Sequence, residues 1–223
     1  MSTTTPHQVV IVGDVVGARR FVDEAQLLAG LGSALALVNQ AVPATLSLTR
    51  SVRDEFHGVY TDIGTAAAAA LRLRLATDEL VLPTVDGVDE PVELRLGLGL
   101  GEAYGHRGAP TGSAWYHARD ARQLAQSLPE RRTWPASLRT RCCSDEAGLQ
   151  GAINAYLLLQ DQLLARLDAR DRRALLGLLD GERQVDVAAE LGITQPAIAR
   201  RLRDRGALAI HRSLLELAEG PPA

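Results

Sequence analysis

The spacing of apolar residues changes in character near residue 145, and this change limits the possible folds more than any other feature. Before it, short apolar runs typical of strands are interleaved with helical stretches, in the order β-α-β-β-α-β-α. After it, apolar residues recur only every three or four positions. The first pattern predicts a ferredoxin-like mixed sheet with packed helices, and the second predicts a small all-α unit. We therefore predict an α+β chain with a sheet-containing domain over 1–144, a connecting helix over 145–167 and a helical domain over 168–223.

Two short helices joined by a tight turn are predicted within the helical domain. The helices span about 184–191 and 195–203, and Gly192 between them can adopt the positive φ that such a turn needs. Thr194 is placed to cap the second helix. The apolar residues have the spacing that buries the angle between two crossed helices; they are Val187, Leu191, Ile193, Ile198 and Leu202. This combination predicts a helix-turn-helix.

The second helix of this pair carries a local excess of positive charge. Residues 195–205 include four arginines and one acidic residue, although the whole chain has a formal net charge of −3. In a DNA-binding helix-turn-helix, this helix inserts its N-terminal residues into the major groove of double-stranded DNA. We predict base contacts from Thr194, Gln195, Ala197 and Arg200, and phosphate contacts from Arg201, Arg203 and Arg205. A protein-interaction module with a solvated arginine face is the alternative interpretation of the same pattern.

Bulk properties limit the cellular setting. The two cysteines, Cys142 and Cys143, are neighbours in the sequence, which is typical of a reducing compartment and not of a disulfide framework. No run of about 18 apolar residues is free of charges and turn signals, so no transmembrane helix is predicted. The N-terminus lacks a basic region followed by an apolar segment, so no signal peptide is predicted. We expect a cytoplasmic protein with no membrane partner.

Two aspartates occupy positions that a folded sheet can bring together. Asp14 directly follows a buried apolar strand, and Asp54 lies in the turn of a predicted β-hairpin. Two carboxylates and a main-chain carbonyl suit Mg²⁺ that carries a nucleotide phosphate. The residues expected near the phosphates are Gly13, Gly17, Arg19 and Arg20. An aspartate after a strand or in a turn also serves local turn chemistry alone, so the spacing leaves both interpretations open.

Several motifs resemble those of known families. The segments GDVVG, RDEFHGVY, LRLGLGLGEAYG and AWYHARDA occur in the same order as the motifs of class III nucleotide cyclases, and the hairpin is similar to the signature turn of diguanylate cyclases. The segment RQVDVAAELGITQPAIARRLRDRG resembles the helix-turn-helix of sigma-factor region 4. A cyclase-like domain over about residues 8–128 followed by such a module resembles the SatD family of bacterial proteins. The resemblance implies a nucleotide-cyclase-like fold for the sheet-containing domain.

The resemblance to cyclases also implies roles for individual residues. Asp14 and Asp54 match the two metal aspartates, and the main-chain carbonyl of Val15 would complete the metal site. Arg119 matches the arginine that stabilises the transferring phosphate in cyclases. The resemblance therefore implies Mg²⁺ with a nucleotide as the bound species.

Two residues depart from the cyclase pattern. Trp115 stands where cyclases have the asparagine that orients the ribose, and Arg53 replaces the hairpin glycine before the metal aspartate. Both departures count against turnover as a cyclase and favour a site retained for nucleotide sensing. The expected nucleotide-binding residues are Gly13, Gly17, Arg19, Arg20, Arg53 and Trp115.

The sequence leaves two functions from different classes open. The first is a DNA-binding transcription regulator whose N-terminal domain senses a nucleotide or mediates dimerisation. A homodimer is expected, because cyclase folds commonly work as dimers and a dimer suits a two-fold DNA site. The alternative is a divergent Mg²⁺-dependent nucleotidyl cyclase that carries a helix-turn-helix.

Overall fold

The computed structural model of the chain describes residues 8–105 and 110–219. The strands are β1 (Gln8–Val15), β2 (Leu46–Arg50), β3 (Phe56–Tyr60), β4 (Val81–Pro83), β5 (Asp89–Pro91), β6 (Leu94–Gly101) and β7 (Thr140–Cys143). The helices are α1 (Glu24–Ala41), α2 (Ile63–Asp78), α3 (Ser113–Ser127), α4 (Ala147–Leu164), α5 (Ala169–Leu179), α6 (Gln184–Glu190), α7 (Gln195–Asp204) and α8 (Ala207–Glu219). The glycine-rich sequence over 105–112 predicts a turn, of which residues 106–109 lie outside the described residues.

Five strands form one sheet in the order β2-β3-β1-β6-β7. β1 runs antiparallel to both β3 and β6, whereas β7 is parallel to β6. The first four of these strands, with α1 and α2 as crossovers, form the β-α-β-β-α-β unit of the ferredoxin-like arrangement. The predicted mixed α+β fold is therefore confirmed. The segment over 82–91 is rich in Pro, Asp, Gly and Val, which predicts a loop or short hairpin, and it forms most of the separate two-stranded sheet of β4 and β5.

Helices cover both faces of the main sheet. Alternate residues of β1 point to opposite faces, as the strand period of two requires: Ile11 joins the core under α1 and α2, and Val10 joins the core under α3. On β6, Gly97 and Gly99 lie directly against the backbone of α3. A Cβ at Gly97 would overlap the carbonyl oxygen of Ala118 and the main-chain nitrogen of Arg122. The two glycines thus permit a closer approach of helix to strand than any side chain would.

The C-terminal helices share a core with the sheet-containing part. The cluster that holds α5 to α8 together includes Ala67, Leu71 and Leu75 of α2. An ion pair of 2.9 Å joins Arg172 of α5 to Asp78 of α2. The helical part is therefore fixed against α2, a contact that the predicted boundaries at 145 and 168 do not reveal. Within the described ranges, no helix is long and apolar enough to cross a membrane.

Candidate functional site

A cleft of about 700 Å³ is lined by the end of β1 and the residues that follow it, the turn between β2 and β3, the first turns of α1, Arg95 of β6 and Gln126 of α3. This volume lies within the range of small-molecule sites. Part of the wall is apolar and is formed by Phe21, Val22, Leu27 and Leu28. The charged part is formed by Asp14, Arg19, Arg20, Glu24, Arg53, Asp54 and Arg95. The charged part thus combines four arginines with three carboxylates beside an apolar surface.

The fold brings the two predicted metal aspartates to the same wall. Asp14 is near the end of β1, where it pairs in register with Arg95 of β6. Asp54 lies in the turn after β2, and its Oδ2 accepts a hydrogen bond of 3.1 Å from the main-chain N–H of Val15. This bond ties the hairpin turn to the end of β1. The convergence predicted from the order of strands is present.

The carboxylate of Asp14 has an unusual environment. Burial raises its pKa, although the positive charges of Arg95 and Arg122 act in the opposite direction. Its Oδ2 lies 3.6 Å from Nη1 of Arg95 and 3.4 Å from Nη1 of Arg122. Its Oδ1 is buried without a hydrogen-bond partner. A buried unpartnered carboxylate oxygen is costly, and a bound cation or donor would relieve that cost.

These residues fit a divalent cation only if the ligand supplies part of the coordination. The described residues contain no group of three or more histidine, cysteine, aspartate or glutamate side chains placed to hold a metal. Two carboxylates, Asp14 and Asp54, are present, and one of their oxygens is unpartnered and buried. Mg²⁺ is commonly held by one or two carboxylates together with substrate phosphates. The donor set therefore matches a metal that arrives with a phosphorylated ligand.

Of the other glycines and arginines expected at the nucleotide, some line the cleft and one does not. Gly17 lines the cleft with φ +63°, a conformation that glycine adopts readily, and Arg19 also lines it. Arg20 lines the cleft but is drawn to Glu90 on the β4–β5 hairpin by a 2.6 Å ion pair. Gly13 does not line it: a Cβ there would collide with the ring of Phe56. Gly13 is thus required for packing of the sheet, so we do not include it in the nucleotide site.

Arg53 also lines the cleft. It is the one non-glycine residue of the described ranges with positive φ, at 54°. Its guanidinium lies 3.7 Å from the carboxylate of Glu24, and both side chains are more than half exposed. An exposed pair at this distance contributes little stability. Arg53 therefore adopts a strained backbone conformation, and its exposed side chain makes only this weak ion pair within the described ranges.

Trp115 and Arg119 lie away from the cleft. Trp115 is 2% exposed and is packed in the core under α3, where its ring meets His57 edge-on at 5.3 Å. It precedes Arg122 by two helical turns, about 10 Å along the axis. Arg119 is exposed and is not among the residues that line the cleft. The sequence position that matched a ribose-orienting residue is thus part of the core, and we leave Trp115 out of the nucleotide site.

Sequence reasoning missed Arg95, Arg122 and Glu24. The sequence pattern places Arg95 at an alternate position of a strand and Arg122 within a helix, with no indication that the two side chains meet. The available signal was the run of alternate glycines in LRLGLGLG, because glycines on one face of a strand indicate close approach of another backbone.

The C-terminal helices contain a second candidate site. Gly192 adopts φ +65° in the turn between α6 and α7, and the Thr194 side chain accepts a hydrogen bond of 3.4 Å from the N–H of Ala197. Ile198 and Leu202 are buried against the other helices. The side chains that face solvent from this region are Thr194, Gln195, Arg200, Arg203 and Arg205, with Ala197 half-buried.

Arg201 differs from its neighbouring arginines. Its Nε donates a 2.8 Å hydrogen bond to Asp171, and its Nη2 pairs with Asp168. Both carboxylates belong to the capping box that begins α5. The predicted phosphate contact is therefore committed to the internal structure of the helical part, and we leave Arg201 out of the candidate DNA interface.

Comparisons with known proteins give structural likeness only. No protein-family model and no curated protein matches the chain. The chain is similar to the GGDEF domain of DgcB from Caulobacter crescentus in complex with c-di-GMP, with 17% identity, coverage of 54% of this chain and 72% of that one, and a TM-score of 0.42. It is also similar to the active GGEEF domain of a diguanylate cyclase from Vibrio cholerae, with 16% identity, coverage of 55% of this chain and 78% of that one, and a TM-score of 0.40. A third similar structure is a mutant guanylyl cyclase domain of the RhoGC fusion protein from Blastocladiella emersonii, with 16% identity, coverage of 53% of this chain and 74% of that one, and a TM-score of 0.40.

Proposed function

We propose that this chain is a DNA-binding transcription regulator whose sheet-containing domain binds a nucleotide. The observation that carries the DNA-binding part is the charge arrangement on α7. Arg200, Arg203 and Arg205 are exposed, and no described carboxylate forms an ion pair with them. The opposite face of the helix is held in the core by Ile198 and Leu202. The helix thus presents donors outward from a rigid base, as a recognition helix does.

The DNA-binding proposal is tested with the matched double variant Arg200→Ala/Arg203→Ala. Double-stranded fragments that bind the wild-type protein at low salt are selected first, and their affinity is then measured by fluorescence anisotropy. We expect the double variant to lose about a hundredfold in affinity and its salt dependence to become shallower. Arg132→Ala, at an exposed arginine before β7, is the control. Equal affinity of the double variant, or no binding to any fragment, would contradict the proposal.

The nucleotide part of the proposal rests on the composition of the cleft. Arg19, Arg53 and Arg95 provide positive charge for phosphates, and the apolar wall provides a surface for a base. Asp14, Asp54 and the carbonyl of Val15 would hold Mg²⁺, which when bound neutralises phosphate charge. Because the helical part is fixed against α2, a change at the sheet reaches the helix-turn-helix through a packed core. In a homodimer this would alter how two recognition helices meet two half-sites.

A second candidate function, a nucleotidyl cyclase, is favoured by the adjacency of Asp14 and Asp54. Within one chain Arg119 does not line the cleft, so a cyclase reaction here would depend on other arginines to stabilise the transferring phosphate. Release of pyrophosphate from ATP or GTP with Mg²⁺ or Mn²⁺ tests this function. Turnover that is lost in Asp54→Asn supports a cyclase. Absence of pyrophosphate with both nucleotides and both metals removes it.

A further inference from the structure

One carboxylate oxygen of Asp14 lies near two arginines from different elements. Arg95 extends from β6 and Arg122 from α3, and both Nη1 atoms lie within 3.6 Å of Oδ2 of Asp14. The side chains of Arg95 and Arg122 are 16% and 25% exposed, so the charges are partly shielded from water. Two guanidinium groups thus carry one charge more than the carboxylate between them.

The glycines of β6 are what place Arg122 at this point. Because Gly97 has no side chain, the main chain of Arg122 lies directly against the strand at this glycine. Arg95 is two residues earlier on the same strand, in register with Asp14. The approach of α3 to the sheet therefore brings both guanidinium groups to one carboxylate.

Neither arginine is saturated by this arrangement. The contacts to Asp14, at 3.4 and 3.6 Å, are longer than the 2.7–3.2 Å usual for N–H···O hydrogen bonds. Nε of Arg122 is buried without a partner. A guanidinium has five N–H donors, so most of the donors of this pair remain for an anion. Arg95 lines the cleft, whereas Arg122 does not and is connected to it through Asp14, which lines the cleft and contacts both guanidinium groups. An anion that takes the place of the Asp14 carboxylate therefore meets both arginines.

We propose that Arg95 and Arg122 form a phosphate subsite, and that a nucleotide polyphosphate binds this cleft without a divalent cation. This inference rests on the proposed nucleotide function. The arginines supply the charge that Mg²⁺ supplies in a site made of carboxylates alone, and bidentate guanidinium–phosphate contacts fix the ligand. Mg²⁺ strengthens binding through Asp14 and Asp54 but is not required for it. Asp14 in turn competes with the phosphates for the two arginines.

The test measures binding of ATP, GTP and tripolyphosphate to the full chain by calorimetry, in EDTA and in Mg²⁺. We expect binding in EDTA, weakened tenfold or more in both Arg95→Gln and Arg122→Gln. Arg132→Gln is the control and retains wild-type affinity. Arg95→Lys keeps the charge and serves if the glutamine variant does not fold. It is expected to bind more weakly than wild type, since lysine lacks the planar fork.

Asp14→Asn separates the arginine subsite from a metal site. Because asparagine cannot compete for the guanidinium groups, we expect metal-free binding to be retained or tightened severalfold, with the gain from Mg²⁺ lost. Binding that occurs only with Mg²⁺ and disappears in Asp14→Asn overturns the inference and leaves the nucleotide function standing. Absence of binding by every probe, with and without Mg²⁺, overturns both.

Discussion

An aspartate lies beside arginine in both candidate sites, but the pKa of the aspartate is shifted in opposite directions in the two. In the cleft, burial raises the pKa of Asp14 despite two adjacent arginines. At the start of α5, a hydrogen bond from the N–H of Asp171 and the pairing with Arg201 lower the pKa of Asp168. Burial thus disfavours the charged form of the first carboxylate, which lines the cleft, whereas the bonds that the second carboxylate accepts stabilise its charged form.

The comparison shows which charges are available to a ligand. The Asp168 contacts are hydrogen bonds that complete a helix cap, so a ligand would gain nothing by displacing them. The Asp14 contacts are longer, and one oxygen of that residue has no partner at all. Arrangements of this second kind are typical of binding sites, because a ligand improves contacts that the free protein leaves incomplete.

The largest effect is expected for Gly97→Ala, which would separate the two elements that enclose Asp14. A Cβ at this position overlaps the backbone of α3, which cannot move without displacing the core under it. We expect a loss of about 3 kcal/mol or more in the free energy of unfolding, measured by urea denaturation. The variant should also lose metal-free nucleotide binding, because Arg122 moves away with the helix.

Gly151→Ala is the matched control for that substitution. Gly151 is an exposed residue inside α4, and a Cβ there meets no atom within 4 Å. Replacement by alanine should stabilise the helix by about 0.5–1 kcal/mol. If both substitutions have the same small effect, the close approach of α3 to β6 is not what holds the cleft together.

An intermediate effect is expected for Arg201→Ala, which removes an arginine paired inside the helical part from the helix for which we propose DNA contacts. Asp171, its partner, is 1% exposed and would lose a charged donor. We expect a loss of about 2 kcal/mol in the free energy of unfolding. Arg200→Ala should remain within about 0.5 kcal/mol of wild type, because Arg200 is exposed without an ion pair in the described ranges. Equal stability of the two variants would erase the distinction between them.

The fold could be predicted from the sequence because its signals are local and agree with one another. Val9 to Val12 form a strand by composition, the side chain of Asp62 caps α2, and Gly192 allows the turn before α7. Each of these signals concerns a few adjacent residues. The β-α-β-β-α-β order then leaves few topologies to consider.

The site could be predicted only in part because its charges are paired through the fold. Asp14 and Asp54 were found because each lies at the end of a strand or in a turn. Arg122 was not singled out, and the internal pairing of Arg201 was not foreseen, since their partners lie 108 and 30 or more positions away in the chain and depend on how helices pack. Trp115 occupied a motif position, but the face of α3 that it lies on is set by the core. Sequence patterns therefore reveal which residues lie at the ends of strands and helices, and not which charged side chains are left without an ion pair in the fold.

The smallest and most discriminating effect concerns pH, because the two aspartates should respond to it with opposite sign. The folded pKa of Asp14 is raised, so the folded state holds this proton more firmly than the unfolded chain does. Its ionisation therefore costs stability as pH rises from the unfolded pKa near 4 through the folded pKa. Asp14→Asn should raise the melting temperature at pH 7, and this gain should vanish at pH values below about 4.

Asp168 should behave in the reverse manner. Its folded pKa is lowered, so it contributes stability that is fully present above the unfolded pKa near 4 and is lost as pH falls through the folded pKa. Asp168→Asn keeps a good N-cap and loses only the charge, so we expect a decrease of less than about 1 kcal/mol at neutral pH. Thermal melts of both variants and wild type across this pH range compare the two carboxylates directly. A lower melting temperature of Asp14→Asn at pH 7 would mean that Arg95 and Arg122 outweigh burial, and that Asp14 is as firmly satisfied as the capping aspartate.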